Sequence, residues 1–280
     1  MGLTDELAVV PIGPGAAAEG LALTVEANWN QTAEDWAFVL AHAMAFGVRD
    51  GGRLVATAAV LPYPAGFAWV SLVIVTQSHR GRGLGTRLLD RCIETLRGHA
   101  LVGMLDATPA GEKVYAPLGF KPVLRLQRWE GTGARHSAPT TSVRPLTADE
   151  LPRIDAVDAG VFGSERHALL AGLFGRAGAR GFAPTGRSGY ALVRPGRVAS
   201  HLGPVAAADE RSAIALIDTA IASTPGRIFL DVPTTWTGIA GWLAARGFRT
   251  QRPFLRMGLG RELPYGDPTR LFASAGPEYG

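Results

Sequence analysis

Phosphate chemistry is suggested by one short stretch, HRGRGLGTRLLD, from His79 to Asp90. Gly81, Gly83 and Gly85 alternate with Arg82 and Leu84, and a helical pattern begins at once. The first turn of a helix has unpaired N–H groups and the positive end of the helix dipole. Together these make a seat for an anion. Glycines let a pyrophosphate approach the backbone closely, and Arg80 and Arg82 add positive charge. Two familiar phosphate turns do not match. The dinucleotide turn G-x-G-x-x-G needs glycine where Thr86 stands, and the stretch lies too far into the chain for it. A P-loop needs a Gly-Lys pair, which is absent here.

Other candidates are sparser. Cys92 is the single cysteine, so an intrachain disulfide and a Cys-rich metal site are both excluded; no metal is expected. His42 falls among apolar helical neighbours and reads as structural. Asp106 has a counterpart, Asp231, in a half of the chain that lacks the glycine turn, and it too reads as structural. Of the 28 basic residues 26 are arginines, but they are scattered rather than blocked, which argues against nucleic acid as a partner. The start, MGLTDELAVV, has acids where a signal peptide carries positive charge, so a cytoplasmic protein is expected. The uncharged run Leu54–Gln77 is broken by Pro62-Tyr63-Pro64-Ala65-Gly66. It reads as two buried strands and a turn, not a membrane span.

The elements that must position the glycine turn follow from periodicity. Strands are expected at Leu7–Ile12, within Leu54–Thr76, at Leu101–Ala107 and at Lys121–Trp129. A small-residue helix runs to Glu26. A second helix starts at Thr32, where Thr32-Ala-Glu-Asp35 has the form of a capping box. Asp50-Gly51-Gly52 signals a hairpin. Leu84, Leu88, Leu89, Cys92, Ile93 and Leu96 share one face of the helix behind the glycines. GTGARHSAPTT, 131–141, is small, polar and aperiodic and reads as a linker between domains at 1–130 and 142–280. The second half echoes the first in order: Val9–Ile12 by Val143–Leu146, Leu88–Asp90 by Leu216–Asp218, Leu105-Asp106 by Leu230-Asp231, and Leu118–Phe120 by Arg246–Phe248. These echoes predict a duplicated αβ unit. Where the first half has RGRGLG, the second has ADERSA, 208–213, with two acids near the place of the phosphate.

Arg80-Gly81-Arg82-Gly83-Leu84-Gly85 resembles the Q/R-x-x-G-x-G/A motif of the GCN5-related N-acetyltransferases, and Tyr115 to Phe120 resembles that family's Y-x-x-x-G-F signature. The resemblance covers residues 1–130, with a degenerate copy behind it. It implies an α/β fold with a mixed α+β sheet, in two tandem acyl-CoA N-acyltransferase domains. It also implies acetyl-CoA as co-substrate, with Val73, Ile74 and Val75 pairing with the pantetheine arm. Arg80, Gly81, Arg82, Gly83, Leu84, Gly85 and Thr86 would hold the pyrophosphate. Tyr115 would protonate the leaving thiolate, and a backbone N–H around Val75 would stabilise the oxyanion. A small-molecule amine would be acetylated by direct attack. Trp29, Asn30 and Gln31, with Ser71, are its candidate contacts; His201 and Trp236 are residues the second domain could contribute. A monomer or homodimer, without membrane or nucleic-acid partner, is expected. The general base is not legible. The alternative is an acyl-CoA-holding sensor without turnover.

Overall fold

The computed structural model describes residues 7–133 and 142–280. Most of the expected linker, 134–141, lies outside them. Two sets of elements follow one another in the same order. The first is β1 (Val9–Ile12), α1 (Ala17–Glu26), α2 (Ala33–His42), β2 (Met44–Asp50), β3 (Arg53–Tyr63), β4 (Phe67–Val75), α3 (Leu84–Gly98), β5 (Val102–Ala107), α4 (Pro109–Tyr115) and β6 (Lys121–Gly133). The second is β7 (Val143–Pro145), α5 (Leu151–Phe162), α6 (His167–Phe174), β8 (Arg180–Pro184), β9 (Gly189–Arg194), β10 (Ser200–Ala207), α7 (Glu210–Ala222), β11 (Gly226–Pro233), α8 (Thr237–Ala245) and β12 (Arg249–Leu259). A short extra strand, β13 (Leu271–Ala273), follows the second set. The duplication is therefore one of structure as well as of sequence.

By compactness the chain divides into Met1–Leu105 and Asp106–Gly280. In the first unit β1 to β4 form an antiparallel meander, and β5 joins β4 in parallel. Local chemistry places these elements. Thr32 Oγ1 accepts from the Asp35 N–H while the Asp35 carboxylate accepts from the Thr32 N–H, so α2 starts in a reciprocal cap. Gly51 and Gly52 both take positive φ at the β2–β3 turn, as that hairpin type requires. The apolar face of α3 is Leu84, Leu88, Leu89, Cys92, Ile93 and Leu96, all buried.

In the second unit β6 lies between β12 and β11, antiparallel to both. The strand continues through Gly131–Gly133, where composition suggested linker. Glycine there serves close approach: a Cβ on Gly133 would fall 1.7 Å from the Thr224 carbonyl, and one on Gly131 would strike the Phe248 ring. In the β6–β12 ladder Leu126 faces Phe254, Arg128 faces Arg252 and Leu124 faces Arg256. Those pairs are symmetric about Leu126–Phe254, so the last strands of the two repeats meet across a local pseudo-dyad.

Two buried ion pairs follow that symmetry. Arg128 grips both oxygens of Asp231 at 2.7 Å, and Arg256 grips both oxygens of Asp106 at 2.9 Å. Each repeat's aspartate is thus held by the other repeat's last strand. Burial opposes ionisation of Asp231, but Arg128 outweighs it and holds the carboxyl below the usual range. The Arg128 guanidinium also lies over the rings of Phe229 and Phe254. Removing one partner strands a buried charge. Asp231→Asn is expected to lower unfolding free energy by about 3–5 kcal/mol in denaturant titration; a loss below 1 kcal/mol would show the pair to be dispensable.

Candidate active site

In the first unit β4 is irregular in one place. Ser71 faces Ala59 and Ile74 faces Thr57, so Leu72 and Val73 together oppose the single residue Ala58. This is a β-bulge. Leu72 takes φ +51°, a left-handed conformation that is costly for a branched non-glycine residue. The Thr57 hydroxyl donates to the Leu72 carbonyl at 2.8 Å, in a fully buried hydrogen bond. On the other side β4 pairs with β5 only from Phe67–Val102 to Trp69–Met104; among the described residues that ladder goes no further. The backbone of Val73, Ile74 and Val75 is therefore a strand edge that begins where two parallel strands have parted.

The chain leaves that edge for the glycine turn. Gly81 and Gly83 take φ +75° and +74°, and a Cβ on either would meet open space. Their requirement is thus conformational, not steric. Gly83 caps α3 without any side-chain acceptor for the helix's first N–H groups. Arg80 donates to the Val75 carbonyl and Arg82 to the Ser78 carbonyl, both from exposed positions. The turn, the uncapped helix start and the two arginines fit a pyrophosphate bound through the backbone.

Glu26, at the end of α1, was not singled out by sequence. Its carboxylate accepts from the Thr76 hydroxyl and the Gln77 N–H, both at 2.6 Å, and so fixes the exit of β4 into the turn. The Gln77 N–H, then the Thr76 hydroxyl, draw its pKa down. Only its place at the end of a small-residue helix could have marked it.

Ser71 is buried, and its Oγ has no hydrogen-bond partner among the described residues. A buried hydroxyl left so costs free energy, and a ligand can relieve the cost. Trp29, Asn30 and Gln31 lie together in the α1–α2 connection, where the Trp29 N–H closes back on the Thr24 carbonyl and Gln31 is buried. Tyr115 ends α4 and belongs by compactness to the second unit; it is half-buried, with its ring 6.0 Å from that of Phe120. His42 is exposed and stacks on Phe38. Asp106 is committed to Arg256. Burial raises the Cys92 thiol pKa to about 12, which rules it out as a ready nucleophile.

The second unit repeats the geometry with its openings filled. Among the described residues β10 and β11 pair in parallel at Ser200–Ile228 and His201–Phe229 and no further. β13 then pairs antiparallel with β10, and the Ser274 N–H donates to the Asp231 carbonyl of β11. The chain's own segment 271–274 thus takes up the backbone groups of the parting strands. His201 and Trp236 secure it, through the Ser274 carbonyl at 3.1 Å and the Leu271 carbonyl at 2.7 Å. Beyond it Arg194 binds the Ala275 carbonyl and Glu278. The start of α7 is filled too: the Asp209 carboxylate accepts from the Ser212 N–H, where α3 has only glycine.

Two family models match. Residues 19–120 match the acetyltransferase (GNAT) family, and residues 154–273 match an acetyltransferase (GNAT) domain. The chain belongs to the GCN5-related N-acetyltransferase superfamily, as a tandem two-domain member. That GNAT assignment agrees with a relative, holothin acyltransferase from Pseudoalteromonas sp. (strain SANK 73390), 28% identical over 231 residues, covering 81% of this chain and 78% of that one. An acetyltransferase-type structure from Pyrococcus horikoshii has the same fold at TM-score 0.83 and 19% identity, covering 100% of this chain and 98% of that one. A tandem GNAT protein from the clavulanic acid biosynthesis pathway matches at TM-score 0.66 and 16% identity, covering 90% and 98%. Among the described residues no helix is long and apolar enough to cross a membrane, and no group of three or more His, Cys, Asp and Glu side chains is arranged to hold a metal.

Burial, then the nearby Arg194 charge, depresses the His201 pKa from 6.5 to about 3. The folded state therefore binds fewer protons than the unfolded state between those values. Its contribution is complete above the unfolded pKa and declines as pH falls. His201→Gln, which cannot titrate, should lose less stability than the parent between pH 6.5 and about 3, by up to roughly 1.4 kcal/mol per pH unit in denaturant melts. Parallel pH profiles for the two proteins would contradict a buried neutral His201.

Proposed function

We propose that the chain transfers an acetyl group from acetyl-CoA to an amine of a small-molecule acceptor, by direct attack within the first repeat. The observation that carries this reading is the bulged β4 edge leading directly into an uncapped, glycine-started α3. Val73, Ile74 and Val75 offer backbone partners to the pantetheine arm. Arg80 to Thr86 hold the pyrophosphate by N–H groups and charge. Ser71, with Trp29, Asn30 and Gln31, meets the acceptor. Tyr115 returns a proton to the leaving thiolate, a task that a neutral phenol can perform. The buried, protonated Cys92 leaves no thiol for a covalent acyl-enzyme, which supports direct transfer. The second repeat, its openings filled by β13 and Asp209, serves no acyl-CoA. The protein works in the cytoplasm as a monomer or homodimer.

The relative's name makes holothin one acceptor to try. The test follows thiol release from acetyl-CoA against holothin, amino acids, polyamines and aminoglycosides, with Tyr115→Phe alongside. Turnover with one acceptor class, falling by about 10²-fold or more in the variant, is expected. Tight CoA binding without turnover on any acceptor would instead favour a sensor.

A further inference from the structure

The two repeats supply an internal comparison at the bulge. In β4, Leu72 and Val73 stand opposite one residue of β3, with Ile74 facing Thr57. In β10, Gly203 and Pro204 stand opposite one residue of β9, with Val205 facing Ala191. The registers match position by position: Leu72 corresponds to Gly203, Val73 to Pro204 and Thr57 to Ala191. The second repeat therefore lacks both a hydroxyl at the Thr57 position and an N–H at the Val73 position, since proline has none.

In a trans peptide the carbonyl and the following N–H point in opposite directions. The Thr57 hydroxyl draws the Leu72 carbonyl toward β3. The Val73 N–H is thereby turned away from β3, toward the side on which the β5 ladder has ended at Trp69–Met104. Thr57 is itself fully buried, so this hydrogen bond is sheltered from competition with water.

We propose that Thr57 is a positioning residue for acyl transfer: by holding the Leu72 carbonyl it fixes the bulge and aims the Val73 N–H at the thioester oxygen. This rests on the acetyl-transfer reading above. In that reaction the acceptor nitrogen forms a C–N bond to the thioester carbon, and the carbonyl π pair moves onto oxygen. The pair returns as the C–S bond breaks. The nitrogen gives up one proton and the departing sulfur gains one, leaving an amide and free CoA thiol. A donor fixed beforehand on the oxygen acts where charge develops, so its loss lowers kcat more than it raises KM.

Thr57→Val and Thr57→Ala remove the hydroxyl, and Thr57→Ser retains it. Expected are a fall in kcat of about tenfold or more in the first two, with KM for acetyl-CoA within about twofold of the parent. Thr57→Ser should recover most of the rate. Parental kcat in a folded Thr57→Val or Thr57→Ala protein, or equal losses in all three variants, would overturn the proposal. A readout independent of turnover is the Val73 amide NMR resonance when acetyl-CoA replaces CoA. A shift in the parent that Thr57→Ala abolishes supports the placement even if no acceptor is acetylated, in which case only the acetyl-transfer reading fails. An identical shift in both proteins, or none in either, overturns the placement.

Discussion

Each repeat contains two parallel strands that pair for two or three residues and then part. Parting exposes backbone N–H and C=O groups in the middle of a domain, and such groups must find partners. The two repeats meet that obligation differently. The second meets it internally: β13 pairs with β10, Ser274 bonds to β11, and His201, Trp236 and Arg194 hold the inserted segment. In the first, the edge Val73–Val75 is followed by a glycine turn suited to a pyrophosphate. The same geometric fault in a sheet is thus a closed joint in one repeat and an edge left to a ligand, on the proposed reading, in the other.

The pairing of the two repeats' last strands gives the duplication its mechanical form. β6 and β12 run side by side about the Leu126–Phe254 pair, and the Asp106–Arg256 and Asp231–Arg128 pairs tie each repeat's aspartate to the other's strand. Such buried pairs are weak evidence for net stability, but breaking one leaves an uncompensated charge. In this strand order neither aspartate is buried without a partner, and both repeats have the aspartate although only one has the glycine turn.

Local features were legible in the sequence because short-range physics sets them. The capping box at Thr32 and Asp35, the Gly51-Gly52 hairpin and the six-residue apolar face of α3 all depend on neighbours within a few positions. The replacement of RGRGLG by ADERSA was legible too, although its meaning sharpened: Asp209 does more than repel phosphate, since its carboxylate occupies the helix start as a cap. Features set by distant chain segments were hidden. Gly131 and Gly133 looked like linker because nothing local reveals that Phe248 and Thr224 will press against them. Thr57, in an apolar strand, looked like an ordinary β-branched residue. Its partner is a carbonyl turned by a bulge that appears only when two strands are set in register. Glu26 likewise meets Thr76 and Gln77 only after folding.

Acetyl transfer as proposed needs a single acyl-CoA cleft, built on the first repeat. Calorimetric titration of the full chain with CoA tests it most directly, run beside Gly83→Val, whose φ of +74° a branched residue resists. One CoA bound per chain, with binding lost in the variant, is the expected result. Two CoA bound per chain, or one bound unchanged in Gly83→Val, would contradict it.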